Sequence, residues 1–319
     1  MVRPAHPVPL TVATSIELTH TTATAALAPR LTAVEAVMRF IQKKPLGAAG
    51  AFIILGMLAV AASAELIAPY DAYTADYSAQ FARPSAEHWF GTDEFGRDLM
   101  SRIMYGARIA LFVGFTASFL GCTIGGLLGV TSAYLGGKVD LLLERLMDML
   151  LAFPQLLFII SLISVVPNQM FGLTGTGVRL TVMILVIGFF GWPYIGRIVR
   201  GQTLSLRERE YVEAARSLGA GRRYILFKEL LPNLIAPITV YTTLMIPTNI
   251  LTEAALSFLG VGVKPPTASW GQMLSQAVRY YEADPMFMVV PGVAIFITVL
   301  SFNLFGDGVR DALDPKGTR

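Results

Sequence analysis

Residues 205–232 read SLREREYVEAARSLGAGRRYILFKELLP, a charged stretch between apolar segments. Ser205 is followed three residues later by Glu208, and this spacing predicts a capping box at the start of a helix. Gly219 suits the left-handed residue that ends many helices, so the first helix of the stretch is expected to stop there. The pattern therefore predicts a short helix with a defined beginning and end.

The apolar residues of this stretch recur at helical spacing. Val212, Ala215 and Leu218 predict one apolar stripe on the first helix. A second short helix is expected to carry Tyr224, Phe227 and Leu231 and to end at Pro232. Such a helix-glycine-helix corner would expose small and apolar residues to water, which is typical of a surface that binds another protein. The alternative is a surface hairpin whose alanines are simply good helix formers.

The rest of the chain is unusually apolar. Of 319 residues, 54% are hydrophobic and 15% are charged, and the mean hydropathy is +0.58. This composition indicates a protein whose solvent is the lipid bilayer. The net charge of +3 is too small to indicate a nucleic-acid partner.

Six segments have the apolarity of bilayer-spanning helices and lengths near the ~20 residues needed to cross. They are residues 48–68, 108–135, 146–166, 179–199, 234–258 and 286–306, and they include Pro154, Pro193, Pro247 and Pro291. Small residues at three- and four-residue spacing predict close helix packing along the second span, at glycines 114, 121, 125, 126 and 129. The expected fold class is therefore all-α, a polytopic membrane protein with six transmembrane helices.

Basic residues indicate the orientation of these spans. Residues 197–228 are rich in Lys and Arg, whereas residues 167–178 contain neither. Because basic loops stay in the cytoplasm, the 197–228 stretch and both termini are expected to be cytoplasmic, in an inner or plasma membrane. Basic residues next to the first and last spans agree with this orientation: Arg39, Lys43, Lys44, Arg310, Lys316 and Arg319.

The chain is expected to divide into five parts. Residues 1–32, rich in Thr, Ala and Pro, predict a flexible N-terminal tail, and residues 33–47 predict a helix at the membrane interface. Residues 48–107 would hold the first transmembrane helix and an outer loop. Residues 108–308 would form a five-helix core with a loop at 201–232, and residues 309–319 a cytoplasmic tail.

No catalytic or metal site is predicted. Cys122 is the only cysteine and lies in an apolar run, and His6, His20 and His88 are isolated from one another. The sequence contains no G-x-x-x-x-G-K-[S/T] phosphate loop, so the chain itself is not expected to bind ATP. The chain itself is expected to have no cofactor and not to be an enzyme.

The 205–232 stretch resembles the "EAA" loop of bacterial ABC importer permeases. That pattern is matched at the right spacing by Glu213, Ala214, Ala215, Gly219, Leu231 and Pro232, while Glu229 stands where the pattern has Ile. The resemblance implies that this loop couples the chain to an ATPase subunit. It also implies that Glu213 would pair with a basic group of that subunit.

Residues 88–98, 256–271 and 303–315 resemble the dipeptide/oligopeptide branch of these permeases, and the resemblance runs from about residue 40 to the C-terminus. It implies a fold like that of type I ABC importer permeases and a mechanism of alternating access. It further implies a second homologous permease, two ATP-binding ATPase subunits and an extracytoplasmic solute-binding protein as partners. Peptides are the cargo implied, with nickel and glutathione as alternatives. The residues of the substrate path are not predicted.

Two other classes stay open on the residues alone. An ion-coupled secondary transporter would need carboxylates deep inside its spans, and Glu253 is the one candidate. We expect Glu253 to lock helices together instead. A membrane scaffold is the second class, although it would not need a patterned corner.

Ahead of the second span, Asp98 and Arg102 are expected to form an ion pair four residues apart, on an interfacial helix.

Overall fold

The computed structural model describes residues 32–167, 169–170 and 172–313. The flexible tail predicted over 1–32 falls outside these residues except for Thr32, and His6 and His20 fall outside as well. Residues 314–319 of the predicted cytoplasmic tail also lie outside, because the last helix is described as far as Leu313.

Helices dominate the described residues. They are α1 (Ala33–Lys43), α2 (Pro45–Ile67), α3 (Leu99–Leu135), α4 (Gly137–Ala152), α5 (Gln155–Ser164), α6 (Thr176–Arg207), α7 (Glu210–Ser217), α8 (Arg222–Tyr224), α9 (Leu231–Phe258), α10 (Trp270–Ala277) and α11 (Pro285–Leu313). A 3₁₀ turn spans Tyr77–Ala79 and a π-helical turn spans Ile225–Leu230. The two-residue strands β1 (Gln169–Met170) and β2 (Leu173–Thr174) pair antiparallel, so the fold is helical apart from one small hairpin.

The first helix begins with a capping box that the sequence analysis did not identify. The Thr32 N–H donates to Glu35 Oε2 (2.9 Å), and the Glu35 N–H donates to Thr32 Oγ1 (3.3 Å). This reciprocal pair satisfies two of the amide groups that a helix start leaves free. α1 ends at Lys43, and Pro45 then begins α2, where its missing N–H has no cost.

Five helices of the described chain are long and apolar enough to cross a membrane. They are α2, α3, α6, α11 and the continuous helix Arg222–Phe258, which contains α8, the π-helical turn and α9. α4 and α5 pass the same test only as a pair bent by 79°, and counting the pair as one span gives six. The described chain therefore has five helices that could cross a membrane, or the expected six if the bent pair is counted as the third span.

The break in the third span lies at Phe153 and Pro154, where the sequence predicted one helix over 146–166. Phe153 has an extended backbone (ψ 136°), and Pro154 stands at the start of α5. A proline disfavours the helical conformation of the residue before it, which explains why α4 stops there. Pro193, Pro247 and Pro291 remain inside α6, α9 and α11.

The glycine face of α3 packs directly on α6. A Cβ atom added to Gly125 would lie 2.6 Å from the Trp192 carbonyl oxygen, and one added to Gly129 would lie 2.5 Å from that of Gly196. Only glycine allows two backbones to approach this closely. The close packing predicted from the spacing of these glycines is thus confirmed.

The loop between α2 and α3, residues 68–98, is called here the long loop. Its Asp93 is fully buried and accepts hydrogen bonds at Oδ2 from Arg97 Nε (2.7 Å) and at Oδ1 from the Phe95 and Arg97 N–H groups. Arg102 of α3 completes an ion pair with the same carboxylate, at 3.3 Å from Nε to Oδ2. A buried carboxylate is tolerable here because two guanidinium groups compensate it.

The predicted pair between Asp98 and Arg102 is wrong. Asp98 instead caps α3, because its Oδ2 accepts from the Ser101 N–H (2.8 Å), and its Oδ1 lies 3.1 Å from His88 Nδ1. Arg102 also donates to the Ala72 carbonyl (2.9 Å). The helix beginning at Leu99 is continuous with the second span, so no separate interfacial helix forms before it.

Glu253 of α9 is fully buried. Its Oε1 accepts hydrogen bonds from Ser257 Oγ (2.8 Å) and Ser269 Oγ (2.9 Å). Since Ser269 immediately precedes α10, the carboxyl joins the end of α9 to the segment that leads into α10. This geometry favours the helix-locking role expected for Glu253 over a position on a water-filled path.

Candidate functional site

The segment between α6 and the body of α9, residues 208–232, is called here the corner. It consists of α7, a turn at residues 218–221, α8 and the π-helical turn. The capping box predicted at Ser205 and Glu208 is wrong, because Ser205 lies inside α6 and α7 begins only at Glu210. Leu206 packs against the apolar cluster beneath the corner. This packing outweighs a cap worth ~1 kcal/mol, so α6 continues past Ser205.

The end of α7 matches the predicted glycine turn. Gly219 has a left-handed backbone (φ +83°), its N–H donates to the Arg216 carbonyl (2.9 Å), and the Ala220 N–H donates to the Ala215 carbonyl (3.0 Å). These two hydrogen bonds define a Schellman motif, which satisfies the last free carbonyl groups of a helix. The chain direction after α7 is therefore fixed by local geometry.

One apolar side chain fastens α7 to the protein. Val212 is fully buried and packs in a cluster with Ile225 and Leu230. Ala215 is half-buried, and Leu218 is 88% exposed. The three residues of the predicted apolar stripe therefore do not share one buried face. Val212 packs into the protein, and Leu218 is exposed to solvent.

The exposed side of the corner contains two adjoining grooves. The first is lined mainly by small and aromatic side chains: Tyr211, Ala214, Ala215, Leu218, Gly219, Ala220, Gly221, Tyr224 and Glu229. The second is lined mainly by charged side chains, among them Arg207, Glu208, Glu213, Arg216 and Arg222. Three predicted site residues therefore share the first groove, and Glu213 lies in the second.

The remaining predicted site residues, Leu231 and Pro232, lie at the start of α9. Leu231 is half-buried and lines a separate groove with Leu226 and Phe227, whereas Pro232 is exposed. The prediction that Pro232 ends the second helix is wrong. The Leu231 N–H donates to the Leu226 carbonyl in the wider π-helical pattern, and Pro232 then occupies the first turn of α9, where a proline is tolerated.

This arrangement makes one uninterrupted helix from Arg222 to Phe258. α8 and the π-helical turn belong to the corner, and α9 spans the bundle. A displacement of the corner would therefore move α9 directly, without a flexible hinge between them.

Ion pairs hold the end of α6 against the rest of the bundle. Arg200 donates to both oxygens of Asp140, from Nε at 2.6 Å and from Nη2 at 2.8 Å, and Glu144 lies 3.5 Å from its Nη1. Arg197 pairs with Asp148. A bidentate pair between arginine and a carboxylate fixes orientation as well as distance.

Sequence analysis missed these pairs, although a signal was present. Asp140, Glu144 and Asp148 recur every four residues along α4, and Arg197 and Arg200 lie one turn apart on α6. Matching charge periodicity on two helices indicates that the charged faces meet. Two hydrogen bonds extend the attachment to the corner, from Arg207 to the Ala133 carbonyl (3.0 Å) and from the Tyr134 hydroxyl to the Arg222 carbonyl (2.9 Å).

The described part of the chain offers no evident metal site. Its His, Cys, Asp and Glu side chains form no cluster of three or more that could hold a metal ion. His88, whose ring nitrogen contacts Asp98, is the described histidine.

Comparison with known proteins places the chain among membrane transport components. Residues 125–319 match the family described as binding-protein-dependent transport system inner membrane component. A dipeptide transport system permease protein of Alkalihalophilus pseudofirmus is 40% identical over 276 residues, covering 86% of this chain and 88% of the relative. A glutathione transport system permease protein of Escherichia coli is 43% identical over 279 residues, covering 87% of this chain and 88% of the relative.

A glutathione transport system permease protein of Pectobacterium atrosepticum is 40% identical over 279 residues, with coverage of 87% and 89%. Among solved structures, a chain of the MetNI methionine ABC transporter in inward-facing conformations aligns with a TM-score of 0.53. It is 22% identical, and the alignment covers 68% of this chain and 98% of that one. This structural likeness concerns the fold alone.

Proposed function

Since the chain belongs to the family of binding-protein-dependent transport system inner membrane components, and so is a multi-pass permease subunit of an ABC importer, we propose that it carries peptides across the membrane. Its relatives include a dipeptide permease and glutathione permeases. Dipeptides and glutathione are both short peptides, which supports peptides as the class of cargo.

The corner is the proposed docking surface for an ATPase subunit. The proposal rests on the burial pattern of α7 and the residue that follows it. Val212 is fully buried against the rest of the protein, while Glu213, Ala214 and Leu218 are exposed to solvent. Exposed apolar groups on a firmly held helix are typical of a protein-binding surface. ATP binding and hydrolysis would take place on that partner.

The connections of the corner suit the transmission of a mechanical push. The Schellman motif and Val212 hold α7 in one position, the Arg200–Asp140 pair holds α6, and α8 continues into α9. A displacement of α7 would therefore move α6 and α9 together. Alternating access follows if ATP-bound partners favour one arrangement of these helices, because a ligand shifts an equilibrium only by its differential affinity for the two states.

The proposed assembly contains a second homologous permease, two ATPase subunits and an extracytoplasmic solute-binding protein. In the proposed orientation, the corner and both termini face the cytoplasm. The concentration of basic residues at the corner and at the end of α6 beside it supports this, since residues 207–228 include Arg207, Arg209, Arg216, Arg222, Arg223 and Lys228. The long loop would then face the solute-binding protein.

Co-purification of the ATPase subunits tests the proposal. Glu213→Lys reverses one charge in the second groove, and Glu210→Lys makes the same change one turn earlier, at an exposed residue that lines neither groove. We expect Glu213→Lys to lose most of the ATPase recovered from detergent-solubilised membranes, together with peptide import, while Glu210→Lys keeps both.

Gly219→Pro should behave like Glu213→Lys, because a proline cannot adopt the positive φ of this turn. Both corner variants should insert into the membrane at normal levels. Normal recovery of ATPase with both variants would contradict the proposal.

A further inference from the structure

A cavity of about 330 Å³ opens beside the long loop, at the end of the bundle opposite the corner. It is called here the long-loop pocket. Three separate segments line it: the long loop at Glu94, the connection between α9 and α10 at Lys264, and the region of α10 at Gln272, Gln276 and Arg279. Its volume lies within the range of small-molecule sites, roughly 300–1,000 Å³.

Polar groups in this pocket lack partners among the described residues. Gln272 is 4% exposed, and its Oε1 accepts a hydrogen bond from Arg102 Nη2 (3.4 Å), but its Nε2 has no partner there. Glu94 Oε2 and Gln276 Oε1 are likewise buried, with no hydrogen-bond donor within the described chain. Buried polar groups are nearly always satisfied in folded proteins. The pocket therefore offers a ligand two acceptors and one donor.

The pocket also holds charges of both signs that do not pair with each other. Glu94, Lys264 and Arg279 form no ion pair in the part of the chain that the structure describes, and both basic side chains are exposed. Burial raises the pKa of Glu94, since its carboxylate is poorly hydrated. A cationic hydrogen-bond donor would stabilise the ionised carboxylate in place of the water that burial removes.

We propose that the long-loop pocket binds the charged ends of a short peptide. The ammonium group would donate to Glu94 and Gln276, and the carboxylate would accept from Gln272 Nε2 and the basic pair Lys264 and Arg279. The choice of a peptide rests on the proposed function. The requirement for a ligand with one ammonium and one anionic group rests on the pocket alone.

A zwitterionic lipid headgroup shares this chemistry. An ethanolamine phosphate carries an ammonium and an anionic group, as a peptide does. The test therefore uses nanodiscs of phosphatidylglycerol, which has no ammonium group, and includes phosphoethanolamine as a competitor. A peptide site predicts that phosphoethanolamine displaces the peptide poorly.

The experiment measures binding of radiolabelled alanyl-alanine to the full chain in these nanodiscs by equilibrium dialysis. Removing the ammonium in N-acetyl-alanyl-alanine, or the carboxylate in alanyl-alanine amide, should each weaken binding about tenfold or more, as expected for the loss of a hydrogen-bonded charge. Equal binding of all three compounds, or stronger binding of phosphoethanolamine, would overturn the proposal.

Variants of the lining residues test which side chains bind the ammonium group of the peptide and which bind its carboxylate. Glu94→Gln should weaken alanyl-alanine about tenfold and leave the N-acetyl compound unchanged, so that discrimination of the ammonium group disappears. The double variant Lys264→Gln with Arg279→Gln should remove discrimination of the carboxylate in the same way. Glu87→Gln and Arg83→Gln change exposed charges of the long loop outside the pocket and should leave both discriminations intact.

Failure of this proposal is separable from failure of the proposed function. A chain that co-purifies with ATPase subunits but shows no saturable binding of alanyl-alanine, or whose discrimination survives in Glu94→Gln, overturns the pocket alone. A chain that binds alanyl-alanine with the expected discrimination but recovers no ATPase supports the pocket and contradicts the proposed docking role of the corner.

Discussion

At the long-loop end of the bundle, Asp93, Arg97 and Arg102 are buried and compensate one another, whereas at the corner Glu213 and Leu218 face solvent. The first arrangement joins the long loop to α3, and because its charges already compensate one another, these three side chains leave little for another molecule to bind, unlike the neighbouring long-loop pocket. The second is held from beneath by the buried cluster of Val212, Ile225 and Leu230 and leaves its outer surface uncovered. The comparison separates charges that maintain the fold from side chains available to a partner.

The two regions should therefore respond differently to mutation. Removing one member of a buried ion pair leaves an uncompensated charge, which costs about 3–5 kcal/mol. Surface charges contribute about 0–1 kcal/mol. Changes to the buried Asp93, Arg97 and Arg102 should lower stability, whereas changes at the corner should lower association with partners while the fold persists.

The largest effect is expected for Asp93→Ala. It leaves Arg97 and Arg102 buried without their shared carboxylate, and the free energy of unfolding should fall by about 3–5 kcal/mol. Asp71→Ala, in the same loop, is the matched control, because Asp71 is exposed and accepts only local hydrogen bonds from Tyr73 and Thr74. Thermal unfolding in detergent measures both. Equal unfolding temperatures for the two variants would refute the structural role of the network.

A pair of glycine variants compares the stability of the long loop and of the corner at two positions with the same backbone conformation. Gly96 in the long loop (φ +72°) and Gly219 in the corner (φ +83°) are both left-handed. An alanine at either position costs about 1–2 kcal/mol for the backbone alone. A Cβ atom at Gly96 would also overlap the Asp76 carbonyl oxygen, whereas one at Gly219 would meet no described atom within 4 Å.

Gly96→Ala should therefore lower the unfolding temperature of the whole protein. Gly219→Ala should increase hydrogen exchange at the corner only, with little change in global unfolding. If Gly219→Ala destabilised the protein as much as Gly96→Ala, the corner would be part of the core, and the distinction between the two ends would be lost.

The smallest effect is expected at Glu94, whose ordinary pKa is 4.5. Burial raises the pKa of Glu94, and the nearby Asp93 adds a smaller rise, while a hydrogen bond to its own backbone and the charges of Arg97 and Arg102 lower it. The rise prevails, so the folded protein holds this proton more tightly than the unfolded chain does. The contribution of Glu94 to stability is therefore greatest below its ordinary pKa and declines as the pH rises through the raised value.

Glu94→Gln cannot ionise and should be somewhat more stable than the unmodified protein at neutral pH, with little difference at about pH 4. Glu87→Gln, at an exposed position, should show no such pH dependence. Unfolding temperatures measured across this range check the prediction, and parallel curves for Glu94→Gln and the unmodified protein would exclude it. A carboxylate that weakens the fold is expected where it serves to bind a ligand.

Local patterns predicted much of the fold. Apolar runs located the spans because the thickness of the bilayer sets their length, and the spacing of Gly125 and Gly129 predicted a closely packed face because helix geometry sets which residues share it. Gly219 was correctly predicted as the end of a helix, since the left-handed turn depends mainly on that one residue.

Tertiary contacts decided the features that were predicted wrongly. Ser205 stays inside α6 because Leu206 packs beneath the corner, while the capping box at Thr32 and Glu35, with the same residue spacing, does form. Arg102 pairs with Asp93 of the long loop and not with Asp98, the N-cap residue of its own helix. Residue spacing alone does not distinguish such competing partners.

The candidate sites show the same division. The residues of the corner are close in sequence, so a local motif could bring Glu213, Ala214, Ala215 and Gly219 together. Leu231 and Pro232 lie apart from them, because a continuous helix replaces the predicted helix end. The long-loop pocket joins Glu94 to Gln272 and Arg279 across most of the chain. No local pattern predicts such a site.

The most direct test of the central claim measures the accessibility of the corner. In a Cys122→Ala background, Leu218→Cys places one thiol on α7, and Ala86→Cys places one on the long loop as the control. Both positions are exposed in the described structure. The rate of maleimide labelling is measured for the chain alone and for the assembly with its ATPase subunits. The account predicts that assembly strongly slows labelling at residue 218 and leaves residue 86 unchanged. Equal labelling of residue 218 in both states would contradict the assignment of the corner as the ATPase-docking surface.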